Sequence, residues 1–333
     1  MIDLSVIVPI YNVQNYLRQC LDSLIKQKLQ NMQILCINDG STDGSLDIIS
    51  EYAKIDCRIE LINKANSGYG HSCNVGIKKA LGQYIAILEP DDFIDPGMYE
   101  ALLKVAGEND SDIVKCAYYD YFDSMGSKAS HFKMARWNQA IKPPKKVFEI
   151  KDCPLFLFHH PSIWAGIYKR EFLLNHQIEF VEAKGASWVD NPFSVQTLCM
   201  AKKISYIEKA YYFYRQSNPN ASSNLKDFKI PLERMHDINA FLNTHKESRA
   251  EILTPILKKY IRYLLLSIYV GKNQRIPIDT IKFEVHSLIN QIIKDFKMSQ
   301  MLKIQFLLLR FVPIDIIYYP YALLKWAKYK FLV

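Results

Sequence analysis

Through the first 120 residues, short runs of consecutive apolar residues alternate with longer segments in which apolar side chains return every three or four positions. Residues 4–10, 32–38, 59–63, 84–88 and 112–118 have the length and the β-branched or aromatic content of strands. Between them, 15–28, 45–54, 71–81 and 96–108 have the spacing of amphipathic helices. This alternation predicts an α/β fold, a mainly parallel sheet flanked by helices. Right-handed crossovers place the loops after successive strands along one sheet edge. The segments PIYN, NDGSTDGS, NSGYG and EPDD are therefore predicted to border one crevice.

After about residue 121 the alternation breaks down. KPPKK (142–146) has the composition of a surface connection. WAGIYKREFLLNH and SWVDNPFSVQTLCMAKK carry helical apolar spacing, and 212–224 (YFYRQSNPNASSN) has loop composition. The rest is mostly helical. We expect one domain over 1–225, with halves 1–120 and 121–225, and a helical C-terminal region over 226–333.

An apolar content of 49% with 13% aromatics supports a packed core and excludes a disordered chain. Seven cysteines without a CxxC pair argue against a zinc site or a disulfide framework and for a reducing compartment. The opening MIDLSVIVPIYN is expected to be a first strand, since it lacks the basic flank and cleavage site of a signal peptide. The net charge of +8 is concentrated in 226–333, which holds 18 Lys and Arg against 9 Asp and Glu. No run there is long and apolar enough to span a bilayer. Its last stretch, 306–333, mixes aromatics with Arg310, Lys325, Lys328 and Lys330. Such a segment suits either an anionic membrane surface or helix packing, including pairing between subunits. The near-neutral remainder argues against nucleic-acid binding.

Chemistry concentrates where YIAILEPDDFIDP ends on Glu89, Asp91 and Asp92. Carboxylates at the C-terminal end of a strand suit a divalent cation that holds a phosphate-bearing substrate, or a solvated turn with a capping aspartate. After the first strand, Tyr11 can stack on a flat base, and no GxGxxG follows to suggest a dinucleotide-binding turn. After the second, Asp39 can accept the N3 hydrogen of a uracil or serve as a turn aspartate.

Taken in order, VIVPIYN, NDGSTDGS, NSGYGHSCNVG, ALGQYIAILEPDD and GASWVDNPF resemble glycosyltransferase family 2, over roughly residues 2–225. The resemblance implies a GT-A fold, with a nucleotide-sugar half (1–120) and an acceptor half (121–225). Tyr11 and Asp39 would bind the base, with Pro9 and Asn12 shaping the loop. Asn66, Gly68 and Asn74 would lie beside the nucleotide. Glu89, Pro90 and Asp91 stand at the family's DXD element, with Asp91 as ligand of Mn²⁺ or Mg²⁺ and Glu89 and Asp92 on the nucleotide sugar. Asp190 would be the base that deprotonates the acceptor. Trp188 could stack on a sugar, Arg215 could close over the donor, and Trp164 is expected in the core. Two departures are Glu89 and Pro90 where Asp-Ser is usual, and Cys73 where an arginine is usual; Arg215 or the metal would then make the phosphate contact.

The function implied is inverting transfer of a hexose from a UDP-sugar to a hydroxyl of a glycan or glycolipid, in cell-surface polysaccharide synthesis. Its expected place is cytoplasmic, with peripheral contact to the inner face of the membrane or a homodimer through the C-terminal helices. The alternatives are a polyprenyl-phosphate sugar synthase, whose anionic acceptor needs no base, and a non-catalytic nucleotide-sugar binding subunit. His71, His159 and His160 have no metal-ligand spacing and are expected to be surface or packing residues.

Overall fold

The computed structural model describes residues 2–124, 129–185, 188–219, 221, 225, 227–245, 250–311 and 313. They fall into two compact units, one within Met1–Phe156 and His160–Ala221, the other within Leu157–His159 and Ser222–Val333.

The first unit begins with the expected alternation: β1 (Leu4–Ile10), α1 (Gln14–Ile25), β2 (Met32–Asp39), α2 (Ser45–Ile55), β3 (Ile59–Lys64), α3 (Tyr69–Lys79) and β4 (Tyr84–Ile87). Every residue of β1, β2 and β4 is buried. A parallel strand covered on both faces must be apolar throughout, which is why these segments show no period of two. Next come β5 (Phe93–Ile94), α4 (Met98–Asn109), β6 (Ile113–Phe122), β7 (His131–Met134), β8 (Val147–Phe148) and the single turn α5 (Leu155–Phe158). The series ends with β9 (Gly166–Lys169), α6 (Arg170–Asn175), α7 (Asp190–Met200) and β10 (Ile204–Arg215).

The sheet runs β3-β2-β1-β4-β9-β6-β10-β5, with β7 beside β6 and β8 beside β10. Its first four strands are parallel, as are β6 and β10. Strand β9 enters antiparallel between β4 and β6, so the sheet is mixed rather than uniformly wound.

Two segments differ from their expected form. WAGIYKREFLLNH supplies β9 before it turns into α6, because Gly166–Lys169 pairs with strands on both sides. Tyr212–Arg215, expected as loop, is the end of the twelve-residue strand β10, where Tyr212 and Phe213 also pair with β5. KPPKK lies between β7 and β8 outside the sheet and is mostly exposed.

The second unit contains α8 (Ile230–Thr244), α9 (Ala250–Asn273), α10 (Ile278–Asp295) and α11 (Gln300–Phe311). Buried Ile252, Ile256, Tyr260, Leu264 and Ile268 line α9 at helical spacing. Among the described residues, no helix is long and apolar enough to cross a membrane. Most of the basic aromatic stretch 306–333, including Lys325, Lys328 and Lys330, lies outside the described residues.

Candidate active site

The parallel register aligns Ile10 with Asn38 and Asp39 with Lys64, so β1, β2 and β3 end together and their loops share one edge. Pro9 is buried near the end of β1, and Tyr11 just beyond it is 49% exposed. Asn12 has φ 50°, a left-handed conformation that asparagine tolerates better than most residues. Its Oδ1 accepts from the Thr42 N–H at 2.8 Å, and its own N–H donates to Ser41 Oγ at 3.2 Å. Asn12 thus ties the first loop to the second.

Asp39 is buried, and its carboxylate orders the loop after β3. Oδ1 accepts from the Ser67 N–H at 2.8 Å and Oδ2 from the Gly68 N–H at 2.9 Å, while Lys64 on the neighbouring strand completes the ion pair. Gly68 takes φ 94°, and a side chain there would strike the Ala183 carbonyl. Asn66 is exposed in the same loop. Asn74 is buried one turn into α3, and its amide is engaged with Phe180 and Glu182.

The carboxylates after β4 have unequal surroundings. Tyr69 donates to Glu89 Oε1 at 2.5 Å, and the Glu89 N–H donates to Tyr212 Oη at 3.3 Å. Burial pushes the Glu89 carboxyl up to about 8; the Tyr69 bond opposes this, while the charges of Asp91 and Asp190 add to it. Asp91 Oδ2 accepts from Asn218 Nδ2 at 2.8 Å, and burial raises its carboxyl too. Asp92 is wholly buried against β10: Oδ2 accepts from Tyr212 Oη at 2.6 Å and Oδ1 from the Arg215 N–H at 2.7 Å. Its carboxyl also lies well above the usual range, through burial and then the charge of Asp91.

Arg215 is corrected from a loop residue to the buried last residue of β10. Its Nε donates to the Asp91 carbonyl at 2.6 Å, and its two terminal nitrogens reach Asp123 and Gln19. The guanidinium lies over the rings of Tyr16 and Tyr121. A side chain 2% exposed and bonded through all three nitrogens holds the carboxylate turn in place; it is not presented to a phosphate.

Asp190, expected on the acceptor side, opens α7, with Asn191 Nδ2 donating to its Oδ1 at 3.1 Å. Trp188, two residues earlier, has φ 55°, an uncommon conformation for a bulky side chain. Trp164 is core, as expected, and stacks on Tyr212 and Tyr214 with centroids 4.1 and 4.9 Å away. His160 packs among Tyr118, Trp164 and Tyr214, and its Nδ1 accepts from the Ser162 N–H at 3.0 Å. Cys73 is fully buried and burial raises its thiol, which suits packing.

The structure therefore brings Glu89, Asp91 and Asp190 into one electrostatic neighbourhood, and commits Asp92 and Arg215 to its framework. Tyr69, in NSGYG, and Tyr212 and Asn218, in YFYRQSNPNASSN, join the site without having been expected there. Their signal was only a polar atom next to a glycine or an aromatic run, and it acquires meaning when the sheet closes.

Among the described residues, no group of three or more His, Cys, Asp or Glu is arranged to hold a metal ion. The Asp91 carboxyl, raised by burial and in the same turn as Glu89, fits a hard cation that takes its remaining oxygens from a diphosphate, since a cation would offset the cost of burying its charge. Asp91, with Glu89, would be the donors.

Comparison with known proteins agrees with this architecture. Residues 5–174 match the family model described as glycosyl transferase family 2. The chain is 31% identical over 229 residues to the uncharacterized glycosyltransferase EpsJ of Bacillus subtilis, covering 66% of this chain and 63% of that one. It is 40% identical over 228 residues to the minor teichoic acid biosynthesis protein GgaB of the same organism, covering 66% and 24%. It thus spans less than two thirds of the length of these relatives. The fold is similar to that of S. aureus TarS 1–349 in complex with UDP-GlcNAc, at TM-score 0.64 and 19% identity, covering 94% of this chain and 93% of that one. With α1 to β9 falling within the matched span, the chain belongs to glycosyl transferase family 2.

Proposed function

We propose that this protein is an inverting glycosyltransferase that moves a hexose from a UDP-sugar to a hydroxyl of a glycan or glycolipid in cell-surface polysaccharide synthesis. The observation that supports this is that Asp91, in the turn after β4, and Asp190, at the start of α7, both act by their charge on the buried Glu89 carboxyl. GgaB, named for teichoic acid biosynthesis, and TarS, crystallised with UDP-GlcNAc, support the choice of acceptor and donor classes.

In this mechanism the exposed Tyr11 ring stacks on the uracil. Each carboxylate oxygen has about two acceptor positions, so Asp39 Oδ2, with one bond from Gly68, can also take the N3 hydrogen. Asp190 accepts the proton of the acceptor hydroxyl. The hydroxyl oxygen bonds to the anomeric carbon on the face opposite the diphosphate, the C–O bond to UDP breaks with its electron pair on UDP, and the configuration inverts. Mn²⁺ or Mg²⁺ held by Asp91 and Glu89 would stabilise the negative charge of the departing diphosphate. The excess of Lys and Arg in 226–333 supports peripheral contact with the inner face of the cytoplasmic membrane.

Thermal unfolding with UDP-glucose, UDP-galactose and UDP-N-acetylglucosamine, with and without Mn²⁺, tests the donor. At a hundredfold excess over Kd one of them is expected to stabilise the protein by about 2.7 kcal/mol, and more strongly with the cation. No shift with any of the three would contradict the proposal.

A further inference from the structure

Glu89 and Asp190 come from distant parts of the chain, and one aromatic residue lies between their supports. The segment 178–185, which has no regular structure, runs along the first turns of α3. It comes so close that a side chain at Gly70 would strike the Val181 carbonyl, and the Tyr69 N–H donates to the Gly185 carbonyl at 3.1 Å. Asn74 acts there as an edge strand would: its Oδ1 accepts from the Phe180 N–H at 2.8 Å, and its Nδ2 donates to the Phe180 carbonyl at 3.0 Å. Nδ2 also donates to Glu182 Oε1 at 3.2 Å.

Phe180, fastened in this way, is itself buried. Its ring lies parallel to that of Phe193, centroids 4.0 Å apart and planes 8° apart. Phe193 follows Asp190 by three residues on α7, hence about one turn along the same side of the helix. Tyr168 of β9 packs edge-on against Phe193 at 5.4 Å. The ring of Tyr69 meets Phe180 edge-on at 6.0 Å, and its hydroxyl is the one bonded to Glu89. A continuous packed path therefore runs from Glu89 through Tyr69, Phe180 and Phe193 to the helix of Asp190. Phe180, Phe193 and Asn74 are each 3% exposed or less, so they act through other residues.

We propose that Phe180, clamped by Asn74, is a positioning residue that sets the separation between the donor-side Glu89 and the acceptor-side base Asp190. This rests on Asp190 being the base, and it gives Asn74 a different task from the nucleotide contact that the family resemblance implies. Stacked aromatic rings resist sliding, and an error of about 1 Å in such a site can cost about 10²-fold in rate.

The test is a mutant cycle between Phe180→Leu and Asp190→Asn. It is read by UDP release from whichever of UDP-glucose, UDP-galactose and UDP-N-acetylglucosamine the wild type turns over, with water as acceptor. Phe180→Leu is expected to lower kcat about 10- to 100-fold, while KM for the donor and the affinity for UDP stay within about twofold. In the Asp190→Asn background it should add little, because both changes disable the same group. Phe193→Leu breaks the stack from α7 and should repeat the result, and it serves in place of Phe180→Leu if that variant does not fold. A full additional loss in the Asp190→Asn background would overturn the proposal. Wild-type turnover by Asp190→Asn would instead defeat the assignment of the base. A crystal structure of Phe180→Leu or Phe193→Leu in which Asp190 keeps its place relative to Glu89 would overturn the positioning role whatever the turnover.

Discussion

The carboxylate turn after β4 and the start of α7 carry the two halves of the proposed chemistry, and they are built differently. The turn is pinned from several directions: Asp92 to Tyr212 and Arg215, Asp91 to Asn218, Glu89 to Tyr69. Its geometry comes from buried polar bonds, which are costly to leave half-made. Asp190 instead follows a tryptophan in a left-handed conformation, and its helix is located by ring packing through Phe193. A group that must hold a diphosphate with a cation benefits from rigid charge placement, whereas a base that must meet varied acceptors can be placed by an apolar contact. The donor-side turn should therefore fail through stability as well as binding, and Asp190 itself through turnover alone.

The largest effect that would break this contrast is on Asp190. Its replacement by Asn is expected to lower turnover by ~10²–10⁴ with UDP affinity and melting temperature unchanged, measured by UDP release, calorimetry and thermal unfolding. Next, Asp91→Asn should remove the cation dependence of UDP-sugar affinity and lower turnover by about 10²–10³, read from a Mn²⁺ titration. Arg215→Met should act on stability, at the low end of about 3–5 kcal/mol for a broken buried ion pair, since Asp123 keeps 34% of its side chain exposed. Urea unfolding measures it, and a variant as stable as the wild type would show that the turn is not held as described.

Two smaller effects sharpen the comparison. Trp188→Gly relieves a left-handed conformation worth about 1–2 kcal/mol, which should offset part of what the lost ring contributes to the melting temperature, while turnover falls if the indole stacks on sugar. In the second unit, burial and then the charges of Arg262 and Lys259 lower the His159 imidazole to about 4. The folded state keeps this ring neutral while the unfolded chain takes up a proton below its ordinary value of 6.5. Stability is therefore complete above that value and declines as pH falls from 6.5 toward 4, by at most about 1.4 kcal/mol per pH unit. His159→Gln should flatten this slope in urea unfolding at several pH values.

Much of the fold was legible where burial on both faces forces uninterrupted apolar runs. Strand β1 occupies the predicted residues, and β2, β3 and β4 differ from prediction by one residue at an end. Strands β9 and β10 were hidden for the opposite reason. Gly166–Lys169 runs directly into α6, so its pattern merges with that of a helix. In β10, Glu208 and Lys209 are exposed and the register to β6 shifts beside them, which breaks the alternation that marks a strand. For the site, the motifs brought out the carboxylates but not their partners. Tyr69, Tyr212 and Asn218 take on a role only through sheet order and helix placement, which no local window contains. Arg215 is the instructive case: beside a polar stretch it resembled a donor-closing residue, and the ladder to β6 and the bond to Asp92 place it inside instead.

The central claim is a single displacement with Asp190 as the only base, and the anomeric configuration of the nascent product tests it most directly. Proton NMR during turnover of an α-linked UDP-sugar, before mutarotation, should show the β-anomer appearing first. Appearance of the α-anomer first would mean retention and would contradict the account.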